Sequence, residues 1–199
     1  YGKTIRTTWN QKFSLPETRI DRNNITQTWH YDDKGNLDWH LDGDGKRYDY
    51  TYFPTGERES MTDPRGNRSS YTYDQWGNPD KIVEPEGSVT DFDYDIRGRR
   101  IAVIDPKGNK TQYTYDSLDY PDKIIHPAIT AYNLPQGSTN IQAFDYDAVG
   151  NLLSETNRVG LKLTYTYTAR DQVKTITRNI GGVKTFDYDP NGNLLSETD

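Results

Sequence analysis

The sequence predicts an all-β fold of tandem antiparallel β-hairpins laid side by side in one continuous curled sheet. This prediction rests on a tyrosine that recurs every 21 residues, on two turn signals in each interval, and on short alternating aromatic and polar segments between the turns. A fixed period of about 20 to 50 residues indicates one supersecondary unit copied along the chain. We therefore expect the assembled surface of the array, more than any single residue, to determine its function.

The period is anchored on eight tyrosines, and one of the intervals is lengthened to 31 residues. The anchors are Tyr31, Tyr52, Tyr73, Tyr94, Tyr115, Tyr146, Tyr167 and Tyr188. Because no linker separates the units, residues 1–199 are interpreted as a single array. We interpret the long interval as a loop insertion at about residues 126–140, after which the hairpin resumes at Ile141, since insertions are tolerated where a loop reaches solvent.

Each unit carries two turn signals, which we name the first turn, directly after the tyrosine, and the second turn, about half a unit later. The first turn recurs as at Asp147–Gly150, and the second as at Asp105–Gly108. Asp caps the backbone, Pro presets φ and Gly tolerates a positive φ, as a type I turn ending in a left-handed residue requires. The pattern predicts three-residue hairpin loops with a bulge, and a left-handed Asn24 where Gly usually stands.

The segments between the turns have strand length and carry two rings on one face, as in Tyr50 and Tyr52, with Thr or Asp facing the other way. We expect these rings to pack between neighbouring hairpins, each cross-strand pair contributing about 0.2 to 1 kcal/mol. The tyrosines and turn glycines are the predicted structural residues of the repeat. They are Tyr31, Gly35, Tyr52, Gly56, Gly66, Tyr73, Gly77, Gly87, Tyr94, Gly98, Gly108, Tyr115, Tyr146, Gly150, Tyr167, Tyr188 and Gly192.

The composition favours an ordered sheet with a thin core. Leu, Ile, Val and Phe together make up only 36 of 199 residues, whereas aromatic residues reach 13%. Each buried ring removes about 150 to 250 Å² from water, so periodic rings supply the burial that aliphatic side chains do not. The absence of cysteine excludes disulfides and thiolate chemistry.

The charge balance disfavours nucleic acid as a partner. The chain has 24 basic and 30 acidic residues, a formal net charge of −6. This balance provides no overall attraction to phosphate. The basic cluster Arg97-Gly98-Arg99-Arg100 is too short to reverse this balance, and we interpret it as a solvated turn.

For the candidate calcium loop and the histidines, a structural role is better supported by the sequence than a metal-binding or catalytic role. Asp42-Gly43-Asp44-Gly45 resembles the start of a calcium loop, but it occupies a second-turn position and lacks the closing Glu of a twelve-residue loop. His30, His40 and His126 fall at three different positions of the unit, which does not favour a shared metal site or a catalytic triad. No catalytic, cofactor-binding or metal-binding residue is predicted, and the chain is not expected to be an enzyme.

The two-turn motif resembles a known family. YDxxGN followed by DPxGN, best seen in Tyr73–Asn78 and Asp105–Asn109, is similar to the YD repeat of the Rhs family over about residues 20–199. That family includes bacterial polymorphic toxins, the BC component of insecticidal Tc toxins and the animal teneurins. Its members wind the repeats into a hollow β-sheet shell around a C-terminal toxic domain. The resemblance implies that this chain is a non-catalytic segment of such a wall.

The resemblance also implies the surroundings of the chain. Its partners would be the rest of the parent polypeptide, with further repeats and an enclosed C-terminal domain. Its location would be exported, secreted or at the cell surface, in a bacterial protein. We expect the chain to be a piece of a longer array, without membrane insertion by this segment. No counterpart is found to the family's closing core segment, PxxxxDPxGL, so self-cleavage is not expected here.

Rows of Tyr and Trp leave a second interpretation open, a carbohydrate-binding or cell-surface-binding adhesion module, because sugar rings stack on aromatic faces. Cell-wall choline- and glucan-binding repeats have a similar length, but they depend on adjacent aromatic pairs. Here the rings alternate with polar residues and two turns divide each unit. Packing within the sheet is therefore the favoured role of the rings.

Overall fold

Eighteen β-strands and no helix make up the regular structure of the residues described by the computed structural model, 4–128 and 138–199. All the strand pairings are antiparallel, and the sheet is not closed. The predicted class, all-β with tandem antiparallel hairpins in one sheet, is confirmed. The curl of the sheet stays a prediction.

The chain divides into two units, Tyr1–Phe92 and Asp93–Asp199. The first contains β1 (Arg6–Trp9), β2 (Pro16–Ile20), β3 (Thr26–Tyr31), β4 (Leu37–Leu41), β5 (Arg47–Tyr52), β6 (Arg58–Thr62), β7 (Arg68–Tyr73) and β8 (Pro79–Val83). Strand β9 (Val89–Tyr94) runs through the boundary residue Phe92. The second contains β10 (Arg100–Ile104), β11 (Lys110–Tyr115), β12 (Pro121–Ile125), β13 (Ile141–Tyr146), β14 (Leu152–Thr156), β15 (Lys162–Tyr167), β16 (Val173–Arg178), β17 (Val183–Tyr188) and β18 (Leu194–Thr198).

The turns have the predicted backbone geometry. In the second turn at Asp105, the Gly108 N–H donates to the Asp105 carbonyl at 2.8 Å and the Asp105 N–H donates to the Asn109 carbonyl at 3.0 Å. Gly108 has a φ of 81°, in the left-handed region. Asn24 has a φ of 63° and replaces glycine as predicted. The predicted hairpin turn with a left-handed fourth residue is therefore confirmed.

The first-turn hairpins contain a further bulge that the sequence did not predict. Between β5 and β6, Thr51 opposes Ser60 but Tyr52 opposes Arg58, so that Glu59 is an extra residue in the returning strand. The same one-residue shift recurs in the pairs β1/β2, β3/β4, β7/β8, β11/β12, β13/β14, β15/β16 and β17/β18. Such bulges increase the local twist of a strand pair.

The bulged residue is often acidic and accepts a hydrogen bond from the opposite strand. The Thr51 hydroxyl donates to Glu59 at 2.9 Å, and the Thr72 hydroxyl donates to Asp80 at 3.2 Å. Thr114 makes the same bond to Asp122. These bonds satisfy polar groups at the place where the bulge interrupts regular pairing.

The two ends of the predicted insertion, about residues 126–140, lie within the described residues, and its bounds stay a prediction. Strand β13 pairs with β12 from Ile141 opposite Ile125, and the loop is closed by the His126 N–H donating to the Asn140 carbonyl at 2.8 Å. The insertion is thus a lengthened second-turn loop whose hairpin resumes at Ile141. Residues 129–137 of this loop lie outside the described residues.

The core is as thin as the composition predicts. Among the described residues, only Ala102, Ser60 and Ser69 are buried, and two of these three are polar. The strand side chains, aromatic rings included, are mostly half-buried or exposed. Hydrophobic burial therefore contributes less to this fold than it does to a two-layer globular domain.

Replacement of turn glycines should separate backbone strain from crowding. An alanine Cβ at Gly108 would contact nothing within 4 Å, whereas one at Gly150, with a φ of 94°, would lie 2.5 Å from the Tyr120 hydroxyl. We expect Gly108→Ala to lower the free energy of unfolding by about 1 to 2 kcal/mol through its positive φ alone, and Gly150→Ala to lower it further. Urea denaturation measures both.

Gly108→Asn is the matched control, because Asn visits the left-handed region more readily than Ala. It should be less destabilising than Gly108→Ala. Equal stability of the wild type and the Gly108→Ala variant would contradict the turn assignment.

Candidate functional site: the turns and the tyrosine contacts

Where a turn opens with aspartate and an asparagine follows its glycine, the aspartate binds the turn through both carboxylate oxygens. In the second turn at Asp63, Oδ1 accepts the N–H groups of Arg65 and Asn67, both at 2.8 Å. Oδ2 accepts the Asn67 side-chain amide at 2.7 Å. The same three-bond arrangement is present at Asp32, Asp74, Asp105, Asp147 and Asp189.

The role of the asparagine after the turn glycine was missed in the sequence analysis, although its recurrence in DxxGN was the available signal. These asparagines are Asn36, Asn67, Asn78, Asn109, Asn151 and Asn193. Each side-chain amide occupies the second carboxylate oxygen that the backbone leaves free. The motif therefore specifies a capped turn with the aspartate held in its ionised form.

These bonds change the acidity of the turn aspartates. Donation from the Asn36 side chain lowers the pKa of Asp32 from its ordinary value of 3.8, and Asn67 has the same effect on the pKa of Asp63. The pKa values of Asp105 and Asp189 are likewise lowered, chiefly by Asn109 and Asn193. A carboxylate that accepts several N–H donors is favoured in its charged state.

The anchoring tyrosines form a second repeated contact. The hydroxyl of Tyr52, the last residue of β5, donates to the carbonyl oxygen of Leu37, the first residue of β4, at 3.1 Å. The equivalent bonds join Tyr31 to Pro16, Tyr115 to Arg100, Tyr167 to Leu152 and Tyr188 to Val173, at 2.8 to 2.9 Å. In all five cases the acceptor lies 15 residues before the tyrosine.

These hydroxyl contacts lie where backbone pairing stops. Strands β4 and β5 have only three paired positions, from Leu41 opposite Arg47 to Trp39 opposite Asp49. The Tyr52 hydroxyl supplies a donor to Leu37 beyond the last of these pairs. Because the acceptor follows one first turn and the tyrosine precedes the next, each bond connects neighbouring repeats.

Two other anchoring tyrosines make ring contacts. The Tyr146 ring packs against Tyr120, with 5.1 Å between centroids. The Tyr73 ring meets Phe53 edge-to-face, with 6.2 Å between centroids and an interplanar angle of 88°. The Tyr73 hydroxyl makes no hydrogen bond to another described residue.

All of the predicted turn glycines have a positive φ, from 76° to 106°.

Neighbouring first turns are also bridged by long polar side chains. The Lys34 ammonium donates to the Pro54 carbonyl at 3.2 Å, and the Gln172 amide donates to the Gly192 carbonyl at 2.9 Å. The Asn151 amide donates to Asp171 at 3.0 Å. The side chains of one turn therefore contact the backbone or side chains of the next turn along the edge of each unit.

The basic cluster at 97–100 belongs to this system of bridges. Arg99 donates to Asp95 at 2.7 Å, taking the place of the usual asparagine, and both Arg97 and Arg99 contact Asp119, at 2.7 and 2.5 Å. The Arg100 guanidinium lies 5.3 Å from the centre of the Tyr113 ring. These contacts support the interpretation of the cluster as a turn, and the absence of a nucleic-acid partner stays a prediction.

The structure assigns the three histidines to separate places. His30 lies 3.1 Å from Asp38 and stacks on Trp39, and His40 lies 3.0 Å from the Tyr50 hydroxyl. His126 belongs to the loop closure described above. Within residues 4–128 and 138–199, no three His, Asp or Glu side chains are grouped as metal ligands would be.

The candidate calcium loop is an ordinary second turn. Asp42 Oδ1 accepts the N–H groups of Asp44 and Lys46, both at 2.9 Å. Bonding to the Lys46 N–H lowers the pKa of Asp42. The Asp44 carboxylate lies 3.5 Å from the Lys46 ammonium.

No helix that could serve as a membrane span occurs in the described part of the chain.

Residues 81–110 and 146–183 match the family model of the RHS repeat. These two segments carry RHS repeats. The resemblance to the Rhs family stated in the sequence analysis is thereby confirmed. No curated protein shows a significant sequence match to the chain.

Solved Tc toxin structures share the fold of these RHS repeats. They include a crystal structure of TcdB2-TccC3-Cdc42, with a TM-score of 0.59 and 14% identity over 97% of this chain, which amounts to 13% of that chain. A Photorhabdus luminescens Tc holotoxin pore with a TccC3 mutation has a TM-score of 0.60 and 14% identity over the same shares. TcdB2-TccC3-TEV has a TM-score of 0.58 and 15% identity, over 98% of this chain and 15% of that one. The chain thus spans about one seventh of the length of these chains.

Removal of single hydroxyls tests the tyrosine contacts between RHS repeats. Tyr52→Phe and Tyr167→Phe keep the rings but leave the carbonyls of Leu37 and Leu152 without their side-chain donors. Each should lower the free energy of unfolding by about 1 kcal/mol, measured by urea denaturation.

Tyr73→Phe is the matched control, because the Tyr73 hydroxyl has no partner among the described residues. It should change the free energy of unfolding by less than about 0.5 kcal/mol. An equal effect of all three variants would show that the hydroxyl bonds do not contribute to stability.

The turn aspartates predict acid sensitivity of the RHS repeats. Their pKa is lower in the folded state than the ordinary value of 3.8, so their stabilisation is complete above about pH 5. It is lost as the pH falls through 3.8 and then through the lowered folded-state pKa. Thermal melting between pH 7 and pH 2 should show this loss.

The variant carrying both Asp63→Asn and Asp105→Asn should be less stable at pH 7 and should lose less stability on acidification. Asp33→Asn is the control, because the Asp33 side chain is fully exposed and lies 3.9 Å from Lys12 as a surface ion pair. An acid profile of the double variant parallel to that of the wild type would contradict the assignment.

Proposed function

We propose that the chain is a non-catalytic segment of the wall of a β-sheet shell that encloses a C-terminal toxin domain in an Rhs-type protein. The observation that carries this proposal is the repeated hairpin itself, in which strands pair with their neighbours in sequence and turns bridge to turns. The RHS repeat match and the shared fold with structures containing TccC3 support it. The whole of residues 1–199 acts as one array in this proposal.

The thin, polar sheet suits containment. Because only three described residues are buried, the sheet presents partly exposed side chains, many of them polar, rather than a continuous apolar surface. An enclosed polypeptide would gain little from collapsing onto such a wall. The net charge of −6 adds no attraction for an acidic cargo.

The turn residues and the anchoring tyrosines hold the units of the proposed wall together. Aspartate caps most of the turns that close the hairpins, and the hydroxyls of five anchoring tyrosines connect one hairpin to the next. The partners are then the remaining repeats and the enclosed C-terminal domain of the parent polypeptide. The location is exported, secreted or at the surface of a bacterial cell, without nucleic acid and without membrane insertion by this segment.

Protease protection in the parent polypeptide tests the proposal. Deletion of residues 53–94, two repeats of 21 residues, keeps the hairpin phase but shortens the wall. We expect the C-terminal domain, resistant to a broad-specificity protease in the intact protein, to be cleaved rapidly in the deletion variant.

The control is Tyr73→Phe in the same parent, which should leave protection intact because its hydroxyl has no described partner. Unchanged protection after the deletion would contradict the wall function. Hydrolytic activity of the purified chain, abolished by replacement of one of its own residues, would contradict the non-catalytic role.

A further inference from the structure

The second turn at 178–182 has a donor side chain where other second turns have an acceptor. In six second turns the opening residue has a side-chain oxygen, and its N–H donates to the carbonyl four residues later; these residues are Asp21, Asp42, Asp63, Glu84, Asp105 and Asn157. Arg178 makes the same backbone bond, to the Gly182 carbonyl at 3.3 Å. The turn presents N–H groups to the side chain at this position, and a guanidinium has no acceptor for them. Arg178 therefore cannot cap its own turn.

The Arg178 guanidinium is also unused elsewhere in the fold. Among the residues that the structure describes, it has no hydrogen-bond or ion-pair partner. The turn itself is held by its next residue, since the Asn179 amide donates to the Gly160 carbonyl at 2.9 Å and the Asn179 N–H donates to the Lys162 carbonyl at 3.0 Å. The backbone is thus fixed while the guanidinium stays available for an external anion.

A pocket of about 480 Å³ opens beside this guanidinium, on β15 to β18. Its apolar surface comes from Leu163, Ile176 and Phe186. The strand register places these side chains on one face, because Leu163 opposes Arg178 and Ile176 opposes Lys184, two residues before Phe186. The volume falls within the range of about 300 to 1,000 Å³ typical of small-molecule sites.

The other charged groups of the pocket interact with one another. The Lys184 ammonium bonds to Glu197 and lies 5.7 Å from the centre of the Phe186 ring. Bonding to Glu197, with the charge of Asp199 nearby, raises the pKa of Lys184. Both carboxylates of the pocket therefore act on Lys184, and Arg178 is left as the cation without an anion.

We propose that this pocket binds an apolar carboxylate, with the carboxylate on Arg178 and the apolar body on Leu163, Ile176 and Phe186. A guanidinium fork bonds both oxygens of a carboxylate, and the apolar body removes the pocket surface from water. A phosphate dianion fits less well, because it would bring two negative charges to one free cation beside Glu197 and Asp199. The proposal is independent of the shell function, since it concerns one pocket and not the array.

Isothermal titration calorimetry of the chain with octanoate and with acetyl-Leu-Phe tests the proposal. We expect saturable binding of at least one of them. Binding of octanoate alone would identify a free fatty acid as the ligand, and binding of acetyl-Leu-Phe alone would identify the carboxyl end of a peptide. The uncharged counterparts, 1-octanol and acetyl-Leu-Phe amide, should bind at least about tenfold more weakly, because they lack the charge-assisted bonds to Arg178.

Two variants locate the site. Arg178→Gln should weaken the affinity about tenfold or more without lowering the melting temperature, because Arg178 is exposed and has no partner in the fold. Gly182→Val should block the pocket, since a Cβ at Gly182 meets nothing within 4 Å and strand alternation places it on the face of Lys184. Gly182 does not have a positive φ, so this variant should also keep the wild-type melting temperature.

Arg65→Gln is the matched control, because it removes the same charge from an exposed residue of another second turn, outside the pocket. It should bind with wild-type affinity. Absence of saturable binding of both carboxylates would overturn the proposal. Equal binding of the uncharged counterparts, unchanged affinity in Arg178→Gln or in Gly182→Val, or an equal loss in Arg65→Gln would also overturn it. None of these results would alter protease protection in the parent protein.

Discussion

Strand register in this protein depends on the hydrogen-bonded turns, most of which open with an aspartate. In most sheets a buried apolar face specifies the register, because a shift of one residue would expose it to water. Here Ala102, Ser60 and Ser69 are the only buried residues in the part of the chain that the structure describes, so that constraint is weak. The turn replaces it by fixing the left-handed fourth residue and by holding two backbone N–H groups on one carboxylate oxygen. Both ends of a hairpin are then closed by hydrogen bonds between residues that are close together in the sequence.

The turns alone would leave neighbouring hairpins weakly connected. The second-turn pair β4/β5 has only three paired positions, and Leu37 lies beyond the last of them. The Tyr52 hydroxyl bonds this carbonyl and so extends the connection past the end of the backbone ladder. Stability in such an array is approximately a sum of unit and neighbour contributions. The tyrosine hydroxyl bond contributes to the interaction between neighbouring units. The capped turn contributes to the stability of a single unit.

The sequence was sufficient to predict the hairpins and the left-handed fourth residue of the turns, because each depends on residues close together in the chain. It was not sufficient for the contact between Tyr52 and Leu37, since the spacing of 15 residues acquires meaning only when β4 and β5 are placed side by side. The bulge at Glu59 was missed for a similar reason, as it becomes visible only when Thr51 and Tyr52 are matched to their partners. The role of Asn67 could have been inferred from its recurrence after the turn glycine.

Where a residue departs from the repeat pattern, the turn keeps its backbone hydrogen bonds. At Phe53 the capping carboxylate is absent, yet the turn is closed by the Gly56 N–H to the Phe53 carbonyl and by the Phe53 N–H to the Glu57 carbonyl, both at 2.9 Å. Two backbone bonds and a glycine with a φ of 106° are therefore enough to form the turn. A carboxylate at this position is therefore not required to form the turn, and an aromatic side chain can replace it without loss of the hairpin. An array of this kind can consequently change the chemistry of its edge one turn at a time while the strand ladder stays the same.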